Sequence, residues 1–582
     1  MKQKIFCSLD EPASDRATSI YTNGELHFSV SRDEYPNGEF IQVIHDENGY
    51  QINEVYDRGS SMAWLLNLAL SSGIPLNHSK DVLTETEEIE KTYDSQLEKF
   101  DDYTHLPFVT VDNPDSRDLD QAVFIEEEGD ILRIWYAIAD TTDNIPVTGK
   151  IFGEALGRGV SYHFDLFSLP MLPDSLSEDK ISLSPMETRK SVIFITELDS
   201  SPSVRSFRVI RGLIKSRAKL SYETVQAYIE GQRSEEYKDA EWKTNPSLTE
   251  KAGKLLIKLN STHGSLSFNR EDLKFIFEDS AESLSIGYSE RKRNFRIKIH
   301  PFVRTASARY HEQFSLITNT LGAKFLKNSN SPTLQAVYRV HDTPEEEQIL
   351  NLKRISRELS ELHENQELIM RDGESLYEFL TRAEKIENHS IRKTLLQNIL
   401  YTCSRGRFQS TAAPHFALGI NAYTRLTAPM REVVGVFMQK ELLETSGMVE
   451  PFDSEKDGEI RDHVILQSEK GHELQKRIDK EIMRIAIEDY FCNFSDEPEK
   501  VIHSGTICCV KSSRIYIIMD AVPLEVRMYF QLLSPDTVYE VIGSVVKFQI
   551  NDYTEEFFPG KSIHFKFSGV KENKMILIPV IN

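Results

Sequence analysis

The segment TVDNPDSRDLDQAV (residues 110–123) places three carboxylates, Asp112, Asp118 and Asp120, in one short stretch. An apolar run ends at Asp112, the turn Asn113-Pro114-Asp115-Ser116 follows, and Asp118-Leu119-Asp120 leads into a second extended run. Residues two apart in an extended chain share a face, so Asp118 and Asp120 point the same way, and the turn can return Asp112 beside them. Three carboxylates on one patch repel one another unless a cation sits between them. Oxygen-only ligands select a hard ion, Mg²⁺ or Mn²⁺, which can polarise a phosphodiester and activate water. In isolation the same spacing is more often a solvated acidic turn capped by its own side chains.

The elements that must position this loop follow from periodicity. Strand-like runs Phe108–Val111 and Val123–Glu126 flank it, with Ile131–Ile138 and Ser191–Leu198 beyond. Helical stretches come next, at Leu248–Asn260, Ala308–Leu326, Pro344–His363, Leu376–Glu384 and Val433–Glu444, and a charged helical segment over 458–491 closes the region. Strands followed by helices predict an α+β domain over 103–495. Ahead of it, residues 1–60 read as a small β-barrel or meander of five strands, Lys4–Ser8, Ser19–Tyr21, Leu26–Ser29, Phe40–His45 and Tyr50–Val55. Residues 61–102 form a helical, acidic linker. After it, 501–582 holds short alternating runs at Gly505–Val510, Arg514–Met519, Leu524–Tyr529, Val541–Ile550, Ile563–Phe567 and Met575–Pro579, which suit an OB-type barrel.

Composition pulls in a different direction. The 582 residues, enough for about three domains, carry a formal charge of −23, whereas nucleic-acid binders usually show a basic footprint. Residues 1–60 alone hold 11 acidic against 5 basic side chains. The exceptions are local. Arg291, Lys292, Arg293, Arg296, Lys298 and Arg304 cluster with no acid among them, and Lys215, Arg217 and Lys219 alternate. These are the candidates for an electrostatic path along which a polyanion could run, against the alternative of charge-protected edge strands. The five cysteines are scattered, without a C-x-x-C pair, and no window is apolar enough for a membrane span. A cytoplasmic monomer with no membrane partner is expected. His341 and His415 lack zinc-ligand spacing and read as structural.

Several stretches occur in a fixed order: TVDNPDSRDLDQAV, WYAIADTTDNIP (135–146), GRGVSYHFDLFSLPMLPDSLS (157–177), IKSRAKLSYETV (214–225), GSLSFNRED (264–272), ARYHEQFSLITN (308–319), VYRVHDTP (337–344) and HFALGINAYTRLTAPMRE (415–432). In this order they resemble the ribonuclease II/ribonuclease R (RNB) family of exoribonucleases, over 103–495. The resemblance implies a cold-shock-like barrel before the catalytic domain and an RNA-binding OB barrel after it. It also implies Mg²⁺-dependent 3′-to-5′ hydrolysis of single-stranded RNA to nucleoside 5′-monophosphates. By matching position, Asp112, Asp118 and Asp120 resemble the metal-binding residues and Arg431 the arginine that reaches the scissile phosphate. Tyr162 and Phe268 fall where aromatic rings clamp terminal bases, and Tyr222, Glu312 and Glu481 match further active-site positions. The chain departs from the pattern at Gln121, where the family has a fourth aspartate. Gln121 offers a carbonyl oxygen to a substrate or ion but no charge. It departs again at Ala428 and at Glu432, which is expected to weaken RNA attraction locally. These departures motivate a second reading, a catalytically silent RNA binder, and the charge a third, an acidic interaction scaffold.

Overall fold

The computed structural model describes the chain except residues 1–2, 10–15, 22–23, 30–34, 36, 47–48, 233–236, 269–270, 285–292, 453, 493–497, 534–537, 551–552 and 581–582. Five antiparallel strands, Gln3–Leu9, Arg16–Tyr21, Gly24–Ser29, Gly38–Asp46 and Gly49–Asp57, pair in the order third, second, first, fourth, fifth. Among the described residues no pairing closes this sheet, and it is not a simple meander, because the first strand pairs with the fourth while the third and fourth are not neighbours. Alternation gives its first strand two faces: Ile5 and Cys7 pack with Ile41 and Val43, while Phe6 turns the other way, with Phe40, against helix Ser61–Ser71. Asn77 pins the sheet, accepting from the Phe6 N–H and donating to the Phe6 carbonyl, each at 2.8 Å. The acidic linker is helical over Lys80–Thr92.

The central domain is α+β. Its seven-stranded sheet runs in the order Lys219–Leu220, Val109–Val111, Gln121–Glu128, Ile131–Ala139, Thr188–Leu198, Val204–Lys215, Asp101–Asp102. The middle five strands form an antiparallel array, and only the outermost pairs are parallel. The strand Val204–Lys215 escapes a reading by periodicity, because arginines at 205, 208 and 211 break its alternation. Helices Asn245–Thr262 and Ala306–Lys327 pack together at Gly253, where a Cβ would lie 2.4 Å from the Tyr310 ring. A separate helical block, Glu346–Leu362, Leu376–Ala383 and His389–Thr402, has its own apolar core around Leu352, Phe379 and Leu395.

The 39-residue helix Ser454–Cys492 is the spine of the molecule, about 58 Å long at 1.5 Å per residue. Val464 joins the core of the central domain. Ile478, Ile482 and Ile485, at helical spacing, join the cluster shared with the N-terminal sheet, and Ile487 and Phe491 enter the C-terminal core. That last unit has a five-stranded sheet (Glu525–Tyr529, Arg514–Met519, Ile502–Lys511, Ser562–Lys571, Lys574–Pro579) and a three-stranded one (Val538–Ile542, Val545–Ile550, Tyr553–Phe557). The run 541–550, expected as one strand, is two, because Gly543 turns the chain at φ +61°. Among the described residues no helix is long and apolar enough to cross a membrane.

Candidate active site

The aspartate loop leaves strand Val109–Val111 and returns in Gln121–Glu128, so both ends are fixed by one antiparallel pair, Val109 opposite Val123. The Asp112 N–H donates to the Leu220 carbonyl at 3.1 Å. The Asp112 carboxylate accepts from the Asn113 N–H at 2.7 Å and the Ser116 hydroxyl at 3.1 Å, closing the turn on itself. Lys219 holds the outside of the turn, donating to the Pro114 carbonyl at 2.6 Å and to the Ser116 carbonyl. It is therefore a brace for the loop rather than part of a free basic stripe.

Asp120 is 2% exposed and both of its carboxylate oxygens are used. One accepts the Met430 N–H at 3.0 Å and the other the Arg431 Nε–H at 2.7 Å, a contact that joins positions 311 residues apart. Burial raises the Asp120 pKa to about 6, with Arg431 and the Met430 N–H opposing and Asp118 adding to the rise. Burial likewise lifts Asp118, against the pull of Arg431. Burial disfavours the Arg431 cation, but Asp120, Asp112 and Asp118 outweigh it and hold its pKa above the ordinary value.

Asp112, Asp118 and Arg431 face a cavity of about 1370 Å³ whose far wall is the N-terminal sheet, at Lys4, Gln42 and Tyr56. Tyr222, Glu312 and Gln121 line a second cavity, of about 360 Å³, and Asn113 borders both. Gln121 is committed to the protein: its amide donates to the Thr427 carbonyl at 2.7 Å and accepts from the Tyr136 hydroxyl. Burial, with Asp112 close by, holds the Tyr222 phenol at a pKa of about 12. The expectation for Glu432 needs correcting. It is 8% exposed and ion-paired to Arg425 (Nε to Oε2 3.0 Å), which overcomes burial and depresses its pKa to about 2, so its charge is not presented to a ligand.

Other sequence candidates lie elsewhere. Tyr162 is 4% exposed within the apolar cluster at the N-terminal sheet, and its hydroxyl donates to the Arg158 carbonyl at 2.9 Å. Its neighbour in the short strand, His163, turns the opposite way into the large cavity, where burial and Arg431 lower its pKa while Asp118 raises it. Phe167, stacked on Phe164 at 4.7 Å, lines the same wall. Alternation from Tyr162 was the available signal for His163. Phe268 packs on the helical block and Glu481 pairs with Arg484 at 2.7 Å; neither lines the two cavities.

The basic cluster also divides. Arg291 and Lys292 lie outside the described residues. Arg293 is buried against Asp489, at 3.0 and 3.2 Å, while Arg296 and Lys298 occupy the exposed face of strand Arg293–Phe302. His341 and His415 stack on each other, with centroids 5.3 Å apart.

Two carboxylates on one cavity wall, with room for water and a phosphate, form a donor set that fits a hard divalent ion. The three loop aspartates are not tightly convergent. Among the described residues only Glu441, Glu444 and Asp457 bring three ligand atoms within 4.8 Å, and the Lys440 ammonium sits on all three at 2.6–3.0 Å.

Residues 100–442 match the model of the RNB domain. Ribonuclease R of Vibrio parahaemolyticus is 28% identical over 346 residues, 59% of this chain but 38% of that protein, so the match spans well under half of the relative's length. The fold is similar to that of Mycoplasma genitalium RNase R, solved in complex with ribose methylated single-stranded RNA (TM-score 0.73, 18% identity, 99% of this chain and 90% of that one). It is also similar to yeast Ssd1, described as a pseudonuclease (TM-score 0.61, 12% identity, 94% and 67%).

Proposed function

Because the chain belongs to the RNB domain family, we propose that it is a metal-dependent 3′-to-5′ exoribonuclease that hydrolyses single-stranded RNA to nucleoside 5′-monophosphates. The observation that carries this reading is the Arg431–Asp120 contact, which sets a guanidinium in the wall of a cavity that Asp112 and Asp118 also line. Asp112 and Asp118 would hold Mg²⁺ (or Mn²⁺), which when bound polarises the phosphodiester and the attacking water.

The remaining work falls to side chains. Arg431 can engage two phosphate oxygens and offset the charge that develops on them. Before substrate arrives, Asp120 parks Arg431 beside the cavity by holding its Nε and the preceding N–H. With its pKa near 12, the Tyr222 hydroxyl keeps its proton near neutral pH and serves as a hydrogen-bond donor, not a base. Glu312, on the wall of the second cavity, would accept from a ribose 2′-hydroxyl and so favour RNA over DNA. His163 and Phe167 supply ring faces for stacking a base in the large cavity.

Gln121 favours a second reading, an RNA-binding protein without turnover, because its amide is spent on Thr427 and Tyr136. Incubation of the purified chain with end-labelled single-stranded RNA, with Mg²⁺, with Mn²⁺ and with chelator, beside Asp118→Asn, separates the two. Metal-dependent shortening that the variant loses supports the enzyme. Binding without shortening in any metal sinks it and leaves the silent binder.

A further inference from the structure

Charge around the aspartate loop is partly offset from within, by one guanidinium among three carboxylates. Arg431 reaches Asp120 through Nε alone, and its side chain stays 36% exposed at the cavity shared with Asp112 and Asp118. Among the described residues, no other hydrogen bond from the guanidinium is seen. The backbone carrying it is fixed, since the Met430 N–H is bonded to Asp120 and the Thr427 carbonyl to Gln121. The side chain can therefore move while the loop stays in place. The same chain uses the same device elsewhere: the acidic trio Glu441, Glu444 and Asp457 is neutralised by the Lys440 ammonium lying among them.

We propose that Arg431 is the resident counter-cation of the aspartate loop, and that Asp112 and Asp118 take up a divalent ion in competition with the Arg431–Asp120 ion pair. Two cations cannot share one small acidic patch without mutual repulsion, which is strong where water is partly excluded. An incoming phosphate relieves the conflict by drawing the guanidinium from Asp120 onto its own oxygens. Metal loading is then favoured by the substrate, and the free protein keeps a partly neutralised, metal-poor site. By reciprocity, whatever anion displaces Arg431 raises metal affinity by the same factor that metal raises affinity for the anion.

The inference rests on the reading of Asp112 and Asp118 as ligands, but its test needs no RNA. Isothermal titration of the full chain with Mn²⁺ alone would compare wild type with R431A and R431Q. R431Q retains an N–H for Asp120 and guards against loss of the fold, and far-UV circular dichroism checks both variants. Both are expected to bind Mn²⁺ about tenfold tighter than wild type or better, equivalent to ~1.4 kcal/mol. R431K, which keeps the charge, is expected to stay within about threefold of wild type. Equal or weaker Mn²⁺ binding in a folded R431Q overturns the proposal, as does binding by none of the proteins. If wild type cleaves RNA while R431Q binds metal no tighter, the competition fails and the nuclease reading stands. If R431Q binds tighter and nothing cleaves RNA, the competition stands and the nuclease reading falls.

Discussion

Gln121 donates its side-chain N–H to the Thr427 carbonyl at 2.7 Å, tying the strand that follows the aspartate loop to the segment that carries Arg431. Asp120 makes the adjacent tie, to Met430 and Arg431. Two consecutive residues thus anchor one loop, and the glutamine does what an ionised aspartate cannot, because a carboxylate has no hydrogen to give a carbonyl.

Restoring a fourth acid is therefore expected to harm. Gln121→Asp should lose about 1–3 kcal/mol of stability, the usual cost of stranding partly buried polar partners. It should not raise cleavage. Thermal melts beside a cleavage assay test both parts, and faster cleavage at unchanged stability would show that the missing charge limits the enzyme.

Lys219 should matter for activity more than for stability. Lys219→Met removes the brace on the Pro114 and Ser116 carbonyls. Small misplacements of reacting groups can cost about a hundredfold in rate, so a loss on that order is expected with little change in melting temperature. Hydrogen exchange should quicken at the Ser116 N–H, which bonds to the Asn113 carbonyl. Unchanged exchange and rate would remove Lys219 from the account.

The buried pair Arg293–Asp489 ties strand Arg293–Phe302 to the long helix, and Asp489 also accepts the Ile297 N–H at 2.8 Å. Asp489→Ala leaves a buried guanidinium uncompensated and should cost about 3–5 kcal/mol in chemical denaturation. A cost under about 1 kcal/mol would mean that this junction carries little, as for an exposed pair.

Glu432 gives a pH signature. Burial alone would raise its pKa, but Arg425 holds it at about 2 in the folded chain, below the ordinary 4.5. A depressed carboxylate pKa stabilises the fold above the unfolded value and loses that contribution as pH falls through the folded one. The melting-temperature gap between wild type and Glu432→Gln should be full above about pH 5 and narrow as pH drops from 4.5 toward 2. A gap that widens with acidification would contradict the pairing.

Much of the fold was legible because burial imposes periodicity. The strands of the N-terminal sheet and the helix Ala306–Lys327 lie within a few residues of the runs read from apolar spacing, and Val433–Thr445, also anticipated, is buried on every side over Val433–Leu443. What escaped was charged or short. Val204–Lys215 hides its face behind arginines, and His389–Thr402 opens polar, on an Asn388 cap. At the site, residue type and spacing singled out Asp112, Asp118 and Asp120 as candidates and the family resemblance added Arg431, whereas a one-residue alternation decides that His163 and not Tyr162 turns to the cavity. Pairing was beyond reach as well: no local pattern reveals that Glu432 is answered by Arg425, or Arg293 by Asp489.

The most direct measurement is the release of label from single-stranded RNA carrying a radioactive 3′-terminal nucleotide, with Mg²⁺, by wild type and Asp118→Asn. Wild type is expected to free the label first and as a nucleoside 5′-monophosphate, chelator to stop it, and Asp118→Asn to release at most about a hundredth as fast, as when transition-state stabilisation is lost. Retention of the label by wild type in both Mg²⁺ and Mn²⁺, with the RNA bound, would contradict the exoribonuclease reading.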